Sequence, residues 1–333
     1  MGDSGDGQKV VEAAWGSRAE RAEAARLERA RRHRLAQQLA EPHDGVVTRA
    51  MLLGEGLTRG QIDVELRHGA WIAWGRHTIG VTSEPGSRAP WWAALWESGR
   101  RSVLDGVTAL QAAGLSGWNE PLVHVTVPND AHVRDRSGVR HHFLRQRGEC
   151  IDTGLRRTKP HVAAIRAAQW ARSDRQAATL LAMTVQQRLV SKERLLEHWD
   201  SVGYSARRQV LHDVVRDVCA GAESLGELDF AVVCRRRSLP EPTRQAVRLG
   251  ERGTVYLDVE WEELGVRGEI HGFQHYSGTA VIDDALRQND VGLAQPGTVS
   301  LQIPVLGLRT CPDRFMAQVE RALNEARARR AAG

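Results

Sequence analysis

The sequence predicts a multi-domain α/β protein of α+β layout, and three observations predict it. Near the N-terminus, three short helical patterns run into an alternating segment that turns at a glycine. In the middle, alternating runs such as Leu122–Val127 and Val139–Leu144 stand among helical ones. Towards the C-terminus, Val255–Trp261 and Val266–His271 alternate on either side of the polar turn Glu262–Gly265, and a helical run and a further apolar strand follow. With 333 residues the chain has room for two or three domains and at least one sizeable core.

Composition narrows the function classes. A hydrophobic content of 41% with 26% charged residues is that of an ordinary soluble protein. No apolar run approaches membrane-spanning length, and the first residues lack a basic-then-apolar signal pattern; no membrane partner and a cytoplasmic location are expected. Cys150, Cys219, Cys234 and Cys311 lie far apart without a C-x-x-C pair. Ordinary thiols are therefore favoured over structural zinc or a disulfide framework. Lys+Arg exceeds Asp+Glu by 46 − 41 = 5, and the pI is about 9.4. That balance suits a polyanion such as DNA, and the near-exclusive use of Arg suits bidentate phosphate or guanine contacts. A GC-rich genome would produce the same Arg usage.

Residues 1–32 form an arm. The first 17 or so are small, polar and rich in glycine, and are expected to be disordered. Arg18–Ala40 is dense in Ala, Glu and Arg and reads as helix, with its Arg18–Arg32 part taken as solvated and phosphate binding as the alternative. Residues 33–82 read as a winged helix-turn-helix. His33–Leu39 would be its first helix, Val46–Gly54 its second with Thr48 as N-cap, and Leu57–Gly69 its third with Thr58 as N-cap. Trp71–Val81 alternates and turns at Gly75, as a wing would. Arg59, Gln61 and Arg67 are the groove-facing candidates, Arg76 and His77 belong to the wing, and Ile62 and Leu66 face the core. A protein-interaction module is the competing use of the same motif.

Residues 83–200 read as a mixed α/β connector, opening on the linker Ser83–Arg88. Trp91, Trp92 and Trp96 follow, and the helical spacing of Trp92 and Trp96 points to core packing rather than base stacking. His141 and His142 fall on opposite faces of a strand and are expected not to chelate one metal together.

Residues 201–333 form the last domain. Glu223–Phe230 opens an expected helix with Ser224 as N-cap; Glu227 either completes a capping box or offers a carboxylate, and Arg235–Arg237 closes the helix. In the hairpin that follows, Asp258 and Glu269 would share one face, close enough to hold a hard cation. The helix Thr279–Leu293 carries Arg287, the strand Val299–Pro304 comes next, and the helix Pro312–Arg330 would cover the sheet with Phe315, Val319 and Leu323.

Two resemblances attach to these residues. Leu257-Asp258, Glu269-Ile-His271-Gly272, Gln274-His275, an Arg-bearing helix and Val299–Pro304 together resemble the PD-(D/E)XK endonucleases, and within them the very-short-patch-repair-like group. The resemblance implies a Mg²⁺-dependent nuclease fold. Asp258, Glu269 and the carbonyl of Ile270 would bind the metal, and Glu227 would complete its shell. His271, Gln274 or His275 would orient the water, and Arg287 would contact phosphate. His271 stands where the general motif has Lys, and Gln302 where an Arg is usual. The segment Leu57-Thr-Arg-Gly-Gln-Ile62, the Gly69-Ala-Trp71 that follows and His124-Val-Thr-Val-Pro128 are similar to AbiEi-type antitoxins. That similarity implies a regulator with a partner toxin or a homodimer, whose last domain keeps the fold without the reaction.

Overall fold

The computed structural model describes residues 17–220, 228–249, 255–272, 280–294 and 299–332. The chain divides into two compact units, Met1–Ser102 with Asn129–Val139, and Val103–Pro128 with Arg140–Gly333.

In the first unit, α1 spans Arg18–Ala40 as one helix of 23 residues. The arm and the expected first helix of the motif are therefore continuous, because good helix formers run unbroken from Arg18 until Pro42. Ser17 and Glu20 close a reciprocal capping box at its start. Val46–Thr48 departs from the expected helix and forms strand β1, in keeping with three consecutive β-branched residues, leaving α2 as Arg49–Gly54. Thr48 caps α2 as expected, its hydroxyl accepting from the Met51 N–H at 3.1 Å. Helix α3 covers Arg59–Arg67, and β2 (Ile72–Ala73) and β3 (Thr78–Gly80) make the wing, in the sheet order β1-β3-β2. Ala36, Leu52, Ile62, Trp71 and Ile79 form the centre of the core, and Leu66 packs at its margin. Helix α4, Ala89–Ser98, touches β1 and β3 and so belongs to this unit. It buries Ala93, Ala94 and Leu95, while half-buried Trp92 and Trp96 close around the His43 ring at 4.7 and 5.3 Å.

The second unit opens with β4 (Val103–Leu104) and α5 (Gly106–Ala112), then β5 (Val123–Pro128), β6 (Val139–Leu144), β7 (Cys150–Ile151) and β8 (Arg157–Thr158). These strands form a sheet in the order β6-β5-β4-β8-β7. Asp105 is fully buried at its centre. It accepts from the Thr126 and Thr158 hydroxyls at 2.6 and 2.7 Å and from Arg166 at 2.5 Å. His142 lies flat on Trp170 with ring centroids 3.4 Å apart, and its Nε2 meets His124 Nδ1 at 3.0 Å. Burial away from water pushes the His142 imidazole down to about 3, and the neighbouring His124 and Arg140 push the same way. Helices α6 (Pro160–Trp170), α7 (Asp174–Gln186), α8 (Lys192–Ser201) and α9 (Arg208–Ala220) follow.

Helix α10, Phe230–Arg235, is capped by Asp229, whose carboxylate accepts from Ala231 and Val232; the expected Ser224 cap and Glu227 lie outside the described residues. Next come β9 (Arg244–Leu249), β10 (Val255–Trp261), β11 (Val266–His271), α11 (Ala280–Leu293), β12 (Val299–Pro304), α12 (Val305–Thr310) and α13 (Pro312–Ala332). The sheet order is β12-β11-β10-β9: an antiparallel meander followed by a crossover through α11 to a strand parallel to β11. The predicted hairpin has its expected bounds. Leu257, Val259, Ile270, Leu301 and Ile303 are buried on one face, and Phe315, Val319 and Leu323 of α13 are buried with them as anticipated. The other face is polar and half-exposed.

Candidate nucleic-acid interface and carboxylate face

Helix α3 owes its position to a buried carboxylate. Glu65, with no exposed surface, receives the Arg29 Nε and Nη2 at 3.0 and 2.8 Å, Arg32 Nη2 at 3.0 Å and His33 Nε2 at 2.9 Å. Burial pushes the Glu65 carboxyl up, and the bonds from Arg29, His33 and Arg32 outweigh that penalty and bring it down to about 2. Arg29 and Arg32 thus fasten α1 to the back of α3. This corrects the reading of the whole Arg18–Arg32 face as merely solvated.

The opposite side of α3 carries exposed basic groups. Arg59, at its first turn, lines a cavity of about 290 Å³ together with Arg49, Arg76 and His77, so the structure brings the groove and wing candidates together. Asp63 is the carboxylate of this cavity and sits 3.5 Å from Arg49. Gln61 has another duty: its Oε1 accepts from the Thr58 N–H at 2.8 Å and closes a capping box with Thr58. Arg67 lies in the last turn and is exposed. The wing itself is braced by Glu97 of α4, which accepts from the backbone N–H of Arg76, His77 and Thr78 and from the Thr78 hydroxyl, at 2.8 to 3.0 Å. Burial raises the Glu97 carboxyl, yet these four donors leave it below its ordinary value.

The second candidate site is the polar face of the β9–β12 sheet. Asp258 and Glu269 are directly opposite across β10 and β11, and Gln302 of β12 is next in the same row. Strand alternation then puts Tyr256 and His271 two residues along on the same face. Arg248 Nε approaches Asp258 Oδ2 at 3.4 Å, while Gln302 Nε2 donates to Glu269 Oε2 at 2.9 Å. His271 Nε2 bonds Gln302 Oε1 and lies 3.8 Å from Glu269. Asp258 therefore pairs with Arg248, while Arg267 of β11 pairs with Glu260 at 3.1 Å. Ile270 is buried on the far side of the strand, so its backbone carbonyl alone is a potential ligand.

Gln302 is held by Asn289 of α11. The buried Asn289 amide accepts from the Gln302 N–H at 2.7 Å and donates to the Gln302 carbonyl at 2.9 Å, on the side of β12 where the described residues supply no further strand. Arg287, on the same helix, is 73% exposed and pairs with Asp284 at 3.3 Å. Gln274 and His275, like Glu227, lie outside the described residues. Among the described residues, no three His, Cys, Asp or Glu side chains come together to hold a metal. Arg248 and Asn289 are the participants that sequence reading missed, and Gln302 entered it only as a departure from the resembling motif. Gln302 was accessible to it, as the polar position of an alternating strand that falls in register with Glu269.

No protein-family model matches the chain, and no curated protein matches it either.

Proposed function

We propose that this protein binds duplex DNA through its winged-helix unit and carries an endonuclease-like site on the polar face of the C-terminal sheet. The observation that carries the reading is the cavity in which Arg59 of α3 and Arg76 and His77 of the wing converge with Arg49. A helix presented to the major groove beside a basic wing is how winged helices hold DNA, and guanidinium groups suit both phosphate and guanine. The meander, crossover helix and parallel strand of the β9–β12 sheet support the endonuclease resemblance, as does the opposition of Asp258 and Glu269.

The carboxylate pair fits a hard divalent cation in part. Both side chains are partly exposed, and Arg248 and Gln302 engage one oxygen of each carboxylate, Oδ2 of Asp258 and Oε2 of Glu269. Asp258, Glu269 and the Ile270 carbonyl would hold Mg²⁺, which when bound would activate water and offset charge on a leaving oxygen. Gln302 holds Glu269 in place, and His271, bonded to Gln302 where the resembling motif has Lys and 3.8 Å from Glu269, would carry a proton at a ring nitrogen. Salt-dependent fluorescence anisotropy of the full-length chain on a labelled duplex tests the binding half. Arg59→Ala/Arg76→Ala is expected to weaken binding at least tenfold, and unchanged affinity would remove the winged helix from the interface.

A second reading is a regulator of the antitoxin type, with a partner toxin or a second copy of the chain, in which the sheet no longer reacts. The donors on both carboxylates, Arg248 and Gln302, favour it.

A further inference from the structure

Residues 129–139 leave the sheet between β5 and β6 and join the first unit. This loop is polar along most of its length. It lines a second cavity, of about 310 Å³, in which His132, Arg134 and Arg136 face Trp74, Arg76 and His77 of the wing. Arg76 and His77 also line the cavity of Arg49 and Arg59, so the two basic clusters are continuous through the wing. Five arginines lie along this strip, against the carboxylates Asp63, Glu97 and Asp135. Glu97 is already consumed by four donors of the wing, and Asp63 sits beside Arg49. The loop's other acid, Asp130, is taken by Arg101 at 2.9 Å. Arg136 Nη1 is buried and has no hydrogen-bond partner among the described residues, although a buried donor left unpaired is costly.

A guanidinium nitrogen held out of water beside further cations is suited to an anionic oxygen. We propose that the 129–139 loop is a phosphate clamp: Arg134 and Arg136 grip the DNA backbone beside the wing and extend the footprint beyond the helix-turn-helix. This rests on the DNA-binding reading above. The clamp carries no base information; it adds affinity and salt dependence, because each phosphate neutralised releases condensed counterions.

The test is the slope of log K against log salt concentration for the full-length chain on a duplex. Wild type is compared with Arg134→Ala/Arg136→Ala and Arg134→Lys/Arg136→Lys, with thermal melting to show that each variant is folded. Losing two phosphate contacts lowers the magnitude of the slope by about 1.8. The lysine variant, which keeps both charges, retains the wild-type slope. A wild type that binds with a salt-dependent slope unchanged in the alanine variant overturns the clamp and leaves the winged-helix reading standing. A slope reduced equally in the lysine variant also overturns it, since the loop would then act through its shape. A wild type without salt-sensitive binding overturns both.

Discussion

Replacing Glu65 by Ala removes the acceptor shared by Arg29, Arg32 and His33 and strands their donors against the back of α3. Arg32 is only 14% exposed, and its Nε is already buried without a partner among the described residues, so solvent compensates little there. A carboxyl brought from an ordinary 4.5 to about 2 corresponds to about 3 kcal/mol of folding free energy. Breaking a buried pair by deleting one member costs about 3–5 kcal/mol, so both routes to the number agree. The folded value lies below the unfolded one. The stabilisation is therefore complete above about pH 4.5 and is lost as the pH falls towards 2. Scanning calorimetry of the full-length chain from pH 7 to pH 3 checks this. At pH 7 the transition of the first unit in Glu65→Ala falls by about 10 °C or more, and the gap to wild type narrows as the pH drops. Glu65→Gln, which keeps the volume, shows the same narrowing. A gap that stays constant with pH would mean that the cost is one of packing, and the absence of a gap at pH 7 would refute the pairing argument outright.

Other outcomes follow from single contacts. Gly106 has φ +52°, and an added Cβ would sit 2.9 Å from the Trp170 ring, so Gly106→Ala is expected to cost about 1–3 kcal/mol and to disturb the His142–Trp170 stack, read by near-ultraviolet dichroism. Asn289→Ala leaves both backbone groups of Gln302 without the amide that pairs them; a loss of about 2–3 kcal/mol in urea titration is expected, with faster exchange of the Gln302 amide proton. Asp105→Ala strands Arg166 beside two hydroxyls at the centre of the second unit and is expected to lower stability by about 3–5 kcal/mol, read by the same titration.

How much was legible depended on whether the cause was local. Thr48 and Thr58 could be read as caps because a hydroxyl three residues before an N–H is a matter of neighbouring positions. The hairpin was legible in full, since period-two alternation fixes which residues share a face and a short polar turn fixes the register that sets Asp258 against Glu269. Val46–Thr48 was misread as helix because its strand character comes from pairing with Thr78–Gly80, 30 to 34 residues away. Glu65 looked like any helix carboxylate; only the return of α1 across α3 surrounds it with cations. Strand β9 was hidden by its polar residues, and with it Arg248, whose approach to Asp258 depends on a third strand joining the hairpin. The place of Arg134 and Arg136 beside the wing is a property of the tertiary fold and leaves no mark in the local pattern.

The most direct measurement is incubation of the purified chain with supercoiled plasmid and Mg²⁺ or Mn²⁺, beside Asp258→Ala/Glu269→Ala and an EDTA control. Nicked or linear plasmid is expected with the wild type alone, and salt-sensitive retention of the plasmid in a gel shift by wild type and variant alike. Intact plasmid with either metal, though still retained, would contradict the nuclease half and leave a DNA-binding regulator. Cleavage that persists in the variant would show that Asp258 and Glu269 are not the site.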